Sequence, residues 1–366
     1  MDNDVVLWIV VGTALAFDFT NGFHDTANAV ATSISTRAMG PRLAVTIAAG
    51  LNFVGAFLSL AVAATIASGI VNAADVTPEI VFAGLIGAIA WNLATWYFGL
   101  PSSSSHALIG GVVGATLAAV GTSGVYFDGL IEKVVIPALV APTLALIAAG
   151  IAILIIYRIV GRQHPGTVSR GFRLGQIISG SLFSLSHGTN DAQKTMGIIF
   201  LALVANGNLS SEDDIPTWVI VSAATAIALG TYVGGWRIIR TMGSRIIKMD
   251  PAQGFAAQGV GAAVILSASH VGFPLSTTHV ISGGIMGAGA AKRFSAVRWG
   301  VAGNIAVAWV LTLPAAAAVG ALTYGVTRLF GTGAAGPVVV TVALLLALVW
   351  ALARRVSGGR TLTAEG

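Results

Sequence analysis

The sequence predicts an all-α polytopic membrane protein. About 10–12 membrane segments are expected, in two inverted-topology repeats with broken or re-entrant helices. Three observations carry this expectation. Of 366 residues, 55% are hydrophobic and only 9% are charged, against about 25% charged in an ordinary soluble domain. Long apolar windows follow one another along the chain. Two pairs of polar motifs recur in the same order in the two halves. The composition excludes a soluble globular enzyme, a disordered chain and a disulfide scaffold. Cys is absent, which removes thiol chemistry and Cys-based metal sites.

Crossing a bilayer as a helix takes about 20 mainly apolar residues. Residues 43–71, 80–98, 134–157, 218–236, 299–325 and 334–353 meet that length. Residues 5–17, 106–120, 255–269 and 279–291 are shorter, and 174–205 is long but polar in its middle. Short or interrupted segments at matching places in two halves point to a transporter's binding site.

Charge assigns the sides. The net charge of +5, from 19 Lys+Arg against 14 Asp+Glu, is read as cytoplasmic anchoring rather than nucleic-acid binding. Residues 35–42, 158–173, 237–254, 292–298 and 354–360 form basic loops; 2–4, 72–79, 121–133 and 206–216 are acidic or neutral. Basic loops inside give a consistent path, with the N-terminus outside and the C-terminus cytoplasmic. The acidic N-terminus lacks the positive region of a cleavable signal and is expected in the mature chain. The predicted organisation is a first repeat over 1–157, a basic cytoplasmic linker over 158–173 and a second repeat over 174–325. Residues 326–366 supply a C-terminal transmembrane helix and cytoplasmic tail. The sense of crossing reverses after the linker. No phosphate-cradling G-x-x-x-x-G-K-[ST] loop is present, which argues against ATP-driven transport by this chain.

The first motif pair is Asn21-Gly22-Phe23-His24-Asp25-Thr26-Ala27-Asn28 and His187-Gly188-Thr189-Asn190-Asp191-Ala192-Gln193-Lys194. Ionisable groups inside membrane segments are costly, so function is the first hypothesis for Asp25 and Asp191. Each motif reads as a Gly- and Asn-containing interruption of an apolar segment, where carboxylates, amides and freed carbonyls make a hard-oxygen cage. Such a cage suits Na⁺, a divalent cation or a proton. Asp25, Asn28 and Asp191 are the candidate metal ligands. Asn28 is replaced by Lys194 in the second copy, three residues after Asp191 and on the same helix face. Its ammonium would neutralise Asp191 in place of a cation; alternatively it snorkels to the interface. His24 stands where the second copy has Asn190, and histidine titrates near neutral pH. Both departures lean towards proton coupling. The counterpart of Asp18 in the second copy is Ser184, so the repeat assigns it no role.

The second pair is Ser103-Ser104-Ser105-His106 and Ser276-Thr277-Thr278-His279, each preceded by a proline-containing turn. Hydroxyls before an apolar stretch are N-cap signals, and a capped helix start is an anion site. One such run alone is an ordinary cap; two inverted copies suggest a tetrahedral oxyanion bound from two sides. A Ser/His/Asp hydrolase is disfavoured, because adjacent Ser105 and His106 do not form the usual nucleophile–base pair and no nucleophile elbow is present. A dianion beside two carboxylates is repelled in a low-dielectric site. It can bind only with a cation or a proton, so coupling is expected.

These four motifs resemble the two signature pairs of the inorganic phosphate transporter (Pit) family, over at least residues 17–291. The resemblance implies a secondary phosphate symporter and not an enzyme. It implies that Asp25, Asn28, Asn190 and Asp191 belong to the cation and phosphate motifs. It also implies that Ser103, Ser104, Ser105, Ser276, Thr277 and Thr278 bind phosphate, with Asn190 helping. Lys194 and His24 depart from the family's Asn and resemble the bacterial low-affinity branch, which is proton-coupled and carries divalent metal–phosphate complexes. The expected activity is phosphate uptake across the cell membrane with H⁺. A Na⁺-coupled phosphate carrier and a sulfate permease of the same architecture are the alternatives. No resident cofactor is implied. The expected partners are phosphate, a coupling cation, the bilayer and, by analogy alone, a second copy in a homodimer.

Overall fold

The computed structural model describes residues 2–361; Met1 and residues 362–366 of the expected cytoplasmic tail lie outside the described residues. The chain is helical nearly throughout. Its helices are α1 Asp2–Ser35, α2 Pro41–Gly55, α3 Ala61–Ser68, α4 Pro78–Phe98, α5 Ser104–Val120, α6 Phe127–Leu130 and α7 Ile136–Val160. Then come α8 Pro165–Ala205, α9 Thr217–Val233, α10 Trp236–Arg240, α11 Pro251–His270, α12 Thr277–Lys292, α13 Trp299–Arg328 and α14 Ala335–Thr361. On either side of residues 161–164 the order matches: a long motif helix, a broken helix, a single helix, a hydroxyl-capped helix and a long apolar helix. Among the described residues, four helices are long and apolar enough to cross a membrane, or five if the bent pair α9 and α10 counts as one span. The chain is a membrane protein.

Several expected element bounds differ in the structure. The window 43–71 is two helices, α2 and α3, separated by a turn. Gln193 explains the break: its side-chain oxygen, arriving from α8, accepts from Val62 N at 2.8 Å and Ala63 N at 3.2 Å. It thereby caps two amides that a helix start leaves open. Similarly, the window 218–236 ends at Gly234, whose φ of +77° favours glycine, and the chain bends by 58° into Trp236–Arg245. Within residues 158–173, α7 runs to Val160 and α8 starts at Pro165, where His164 caps and Pro165 opens it. Residues 354–360, read as a basic loop, continue α14.

The motifs differ from expectation as well. Asp25 and Asp191 were expected at helix interruptions; instead α1 and α8 run unbroken through them, so no backbone carbonyls are freed there. Both motif glycines serve close packing instead. A Cβ on Gly22 would strike the Ile227 carbonyl of α9, and one on Gly230 the Phe19 carbonyl of α1. Gly188 meets Asn52 of α2 in the same way, and Gly55 meets Leu185 of α8. Overpacking of this kind costs about 1–3 kcal/mol. Gly22→Ala and Gly188→Ala are therefore expected to lower the melting temperature in detergent, and unchanged melting would show these contacts to be slack.

Two apolar cores flank the motifs. One gathers Val6–Phe17 positions of α1 with the end of α8 from Ala192 to Leu203. The other gathers Ala27, Ala29, Val30 and Ala31 of α1 with Phe183 of α8. α1 thus passes from the first core to the second and α8 from the second to the first. The two motif helices run in opposite directions, with their polar residues between the cores. α5 packs on α13 and α12 on α7, which aims both hydroxyl-capped helix starts at that polar layer.

Candidate functional site

The site is a buried polar cluster where α1, α5, α8 and α12 meet. Its capping follows from local sequence: Ser103 Oγ accepts from His106 N at 3.1 Å, and Ser276 Oγ from His279 N at 3.2 Å. Each cap leaves the two following hydroxyls available. Thr277 Oγ1 donates to Asp191 Oδ2 at 3.2 Å and Thr278 Oγ1 to Asp25 Oδ1 at 3.3 Å. Asn28 Nδ2 donates to both threonines, at 3.3 and 2.8 Å. The second hydroxyl run therefore sits between the two carboxylates.

Lys194 joins the first run to the same cluster. It is 1% exposed, so the snorkelling alternative falls. Nζ pairs with Asp191 Oδ1 and donates to Ser105 Oγ at 2.6 Å and the Leu275 carbonyl at 2.8 Å. All three ammonium hydrogens are used. Ser105 Oγ donates to the Leu275 carbonyl at 3.3 Å, linking the two hydroxyl-bearing turns. Ser104 Oγ is buried with no protein partner, which leaves it for a ligand.

His24 Nδ1 lies 2.7 Å from Asp25 Oδ1, and Nε2 lies 3.1 Å from Thr95 Oγ1. Ser102 Oγ donates to Thr95 Oγ1 at 2.9 Å. Asn190 is placed differently from its expected phosphate role. Its amide hydrogens go to Ser269 Oγ at 2.7 Å and the Phe273 carbonyl at 3.2 Å. Only Oδ1 remains, an acceptor and so the wrong polarity for an anion; Asn190 fixes the turn ahead of α12. His106 and His279 pack edge to face at 4.8 Å, with His279 stacked on Trp309 at 4.1 Å.

Several participants lay outside the motif reading. His187 Nε2 approaches Asp191 Oδ2 at 3.0 Å, and its Nδ1 lies 3.2 Å from Asn52 Oδ1. Asn52 Nδ2 donates to Thr231 Oγ1 at 2.7 Å. The available signal was a single amide or hydroxyl inside an otherwise apolar window, which in a membrane needs a partner. For a cation, Asp25, His187 and Asp191 each offer a ligand atom, all within 4.8 Å of one another. Asn28 Oδ1 is buried and without a partner nearby. This donor set of carboxylates, amide oxygen and imidazole suits a hard or borderline divalent cation. Lys194 competes for Asp191.

The sequence profile of the phosphate transporter family matches residues 21–320. The chain belongs to the phosphate transporter family. Among curated relatives, a "probable low-affinity inorganic phosphate transporter" of Mycobacterium bovis is 57% identical over 327 residues, 89% of this chain and 78% of the relative. One of the same description from Rhizobium meliloti is 51% identical, covering 88% of this chain and 98% of the relative. One from Bacillus subtilis is 46% identical, with the same two coverages. A solved structure titled "The sodium-dependent phosphate transporter" superposes with a TM-score of 0.81 at 26% identity, covering 88% of this chain and 99% of that one. These phosphate transporter relatives are named for transport and not for a catalysed reaction.

Proposed function

We propose that the protein is a secondary active symporter that takes up inorganic phosphate across the cell membrane together with H⁺. The observation that carries this reading is the convergence of both hydroxyl runs on the Asp25–Asp191–Lys194 cluster. Thr277 and Thr278 donate to the two carboxylates, and phosphate needs those same donors. When phosphate takes them, each carboxylate loses a hydrogen bond in a buried site. A second negative charge arrives beside it. Leaving buried charge uncompensated costs several kcal/mol, so a cation or proton must enter with the anion. Competition for shared donors is thus the physical basis of coupling.

Lys194 supplies one permanent positive charge against the two carboxylates and so replaces one coupling cation. Asp25 keeps its exchangeable partner in His24. Ser103 and Ser276 hold the helix starts, while Ser104, Ser105, Thr277 and Thr278 offer hydroxyls to the anion. The Asp25, His187 and Asp191 donors support carriage of a divalent metal–phosphate complex as cargo. Opposed α1 and α8, with matched element order in the two halves, support an inverted-topology repeat, and the basic loops favour an N-terminus outside and a C-terminus in the cytoplasm.

Labelled phosphate uptake into proteoliposomes tests the reading, with pH and Na⁺ gradients imposed separately. Inward acid-to-alkaline gradients are expected to drive uptake. Uptake driven by Na⁺ alone, indifferent to pH, would overturn proton coupling; absence of phosphate uptake under any gradient would overturn the substrate. Lys194→Asn is expected to introduce Na⁺ stimulation by opening a cation position beside Asp191. An ion dependence identical to the parent protein would remove the surrogate role.

A further inference from the structure

Asp18 lies outside the cluster just described, seven residues before Asp25 on α1, and neither motif accounts for it. It is 0% exposed, and neither carboxylate oxygen has a protein donor at good hydrogen-bond geometry. Its neighbours are Asn21, one turn on, and Thr195 of α8. The Asn21 side-chain oxygen and the Thr195 hydroxyl are likewise buried and without partners. Three unpartnered acceptor oxygens, two of Asp18 and one of Asn21, therefore stand with a single unpartnered donor, the Thr195 hydroxyl. A native protein rarely leaves such groups unmatched.

The charges acting on Asp18 are those of Asp191 and Lys194, both on α8. The α9 helix also packs on α1 and contains no acidic or basic residue. Lys194 already pairs with Asp191 and is not a partner for Asp18. The nearby ammonium also weakens the position for a metal cation. A proton on one Asp18 oxygen resolves every mismatch at once: the new O–H donates to Asn21 Oδ1, and Thr195 Oγ1 donates to the other Asp18 oxygen.

We propose that Asp18, with Asn21 and Thr195 as its hydrogen-bond partners, is a proton-binding site of the transport cycle, separate from the Asp25–Asp191 cluster. The proposal rests on the symport reading above. One proton passes from water to a carboxylate oxygen on the side where phosphate loads. It returns to water on the other side after phosphate leaves, and no other bond changes.

The test compares two phosphate fluxes in proteoliposomes for the parent protein, Asp18→Asn and Asp18→Glu. One is accumulation driven by a pH gradient and the other is exchange of labelled for unlabelled phosphate without a gradient. In Asp18→Asn the ratio of accumulation to exchange is expected to fall about tenfold for each unit of imposed pH gradient, the driving force of one proton. Asp18→Glu is expected to recover the ratio. A merely structural role lowers both fluxes together, so an unchanged ratio in Asp18→Asn overturns the proposal, as does a lost ratio that Glu fails to recover. A second readout needs no transport: infrared difference spectroscopy of the purified protein should show a protonated-carboxyl band that disappears in Asp18→Asn. Persistence of the whole band in that variant overturns the site even if phosphate is not the substrate. Conversely, a parent protein that moves no phosphate but loses the band in Asp18→Asn refutes the symport reading alone.

Discussion

Asp191→Asn is expected to abolish phosphate uptake and to destabilise the protein by about 3–5 kcal/mol, the usual penalty for removing one partner of a buried ion pair. Lys194 is the reason. Its ammonium is enclosed, and Asp191 is its one anionic partner among the described contacts; the Ser105 hydroxyl and Leu275 carbonyl that remain are neutral. A single asparagine oxygen would then have to serve both Lys194 and Thr277. Uptake assays report the first effect and thermal melting in detergent the second. Adding Lys194→Met to Asp191→Asn removes the stranded charge, so stability should return while uptake stays absent. Melting that fails to recover in the double variant would show that the pair is not the origin of the loss.

Asp25→Asn is expected to abolish uptake as completely while lowering stability by only about 1 kcal/mol, the net worth of an ordinary hydrogen bond. No ammonium depends on Asp25. Its partners are the His24 ring and the Thr278 hydroxyl, and an asparagine oxygen can accept from either. What disappears is the negative charge that a coupling cation must neutralise. Uptake and melting measured together separate the two carboxylates. Normal uptake by Asp25→Asn would remove this residue from the mechanism, and a collapse in melting equal to that of Asp191→Asn would show that its role is structural.

The contrast between these residues marks what the sequence makes legible. Helices α4 and α13 fall close to their apolar windows, 80–98 and 299–325, because an uninterrupted apolar run decides a helix locally. The paired recurrence of Asp25 with Asp191 and of the two hydroxyl runs was visible as pattern alone, and the fold brings all four to one buried layer. Lys194 was ambiguous, since spacing places it on the Asp191 face but does not say whether that face is buried. The break between α2 and α3 was not legible, because its cause, Gln193, is 131 residues from Val62. Asn190, which the family resemblance places with the phosphate residues, has its amide engaged by Ser269 and Phe273, 79 and 83 residues away, a contact that no local pattern announces. Unbroken α1 and α8 were missed because glycine and polar residues in series read as an interruption. Neighbouring backbones pressed against Gly22 and Gly188 make helix continuity favourable there.

Gln193 stands between Ala192 and Lys194, two residues from Asp191, on a rigid helix. Its oxygen holds the start of α3 while its neighbours hold the ion pair. A rotation of α8 that loosens Lys194 from Asp191 must also drag on the amides of Val62 and Ala63. The charge state of the site and the seating of a short helix on the far side of α8 are therefore mechanically geared through consecutive residues. No dedicated hinge loop is required to transmit the one to the other.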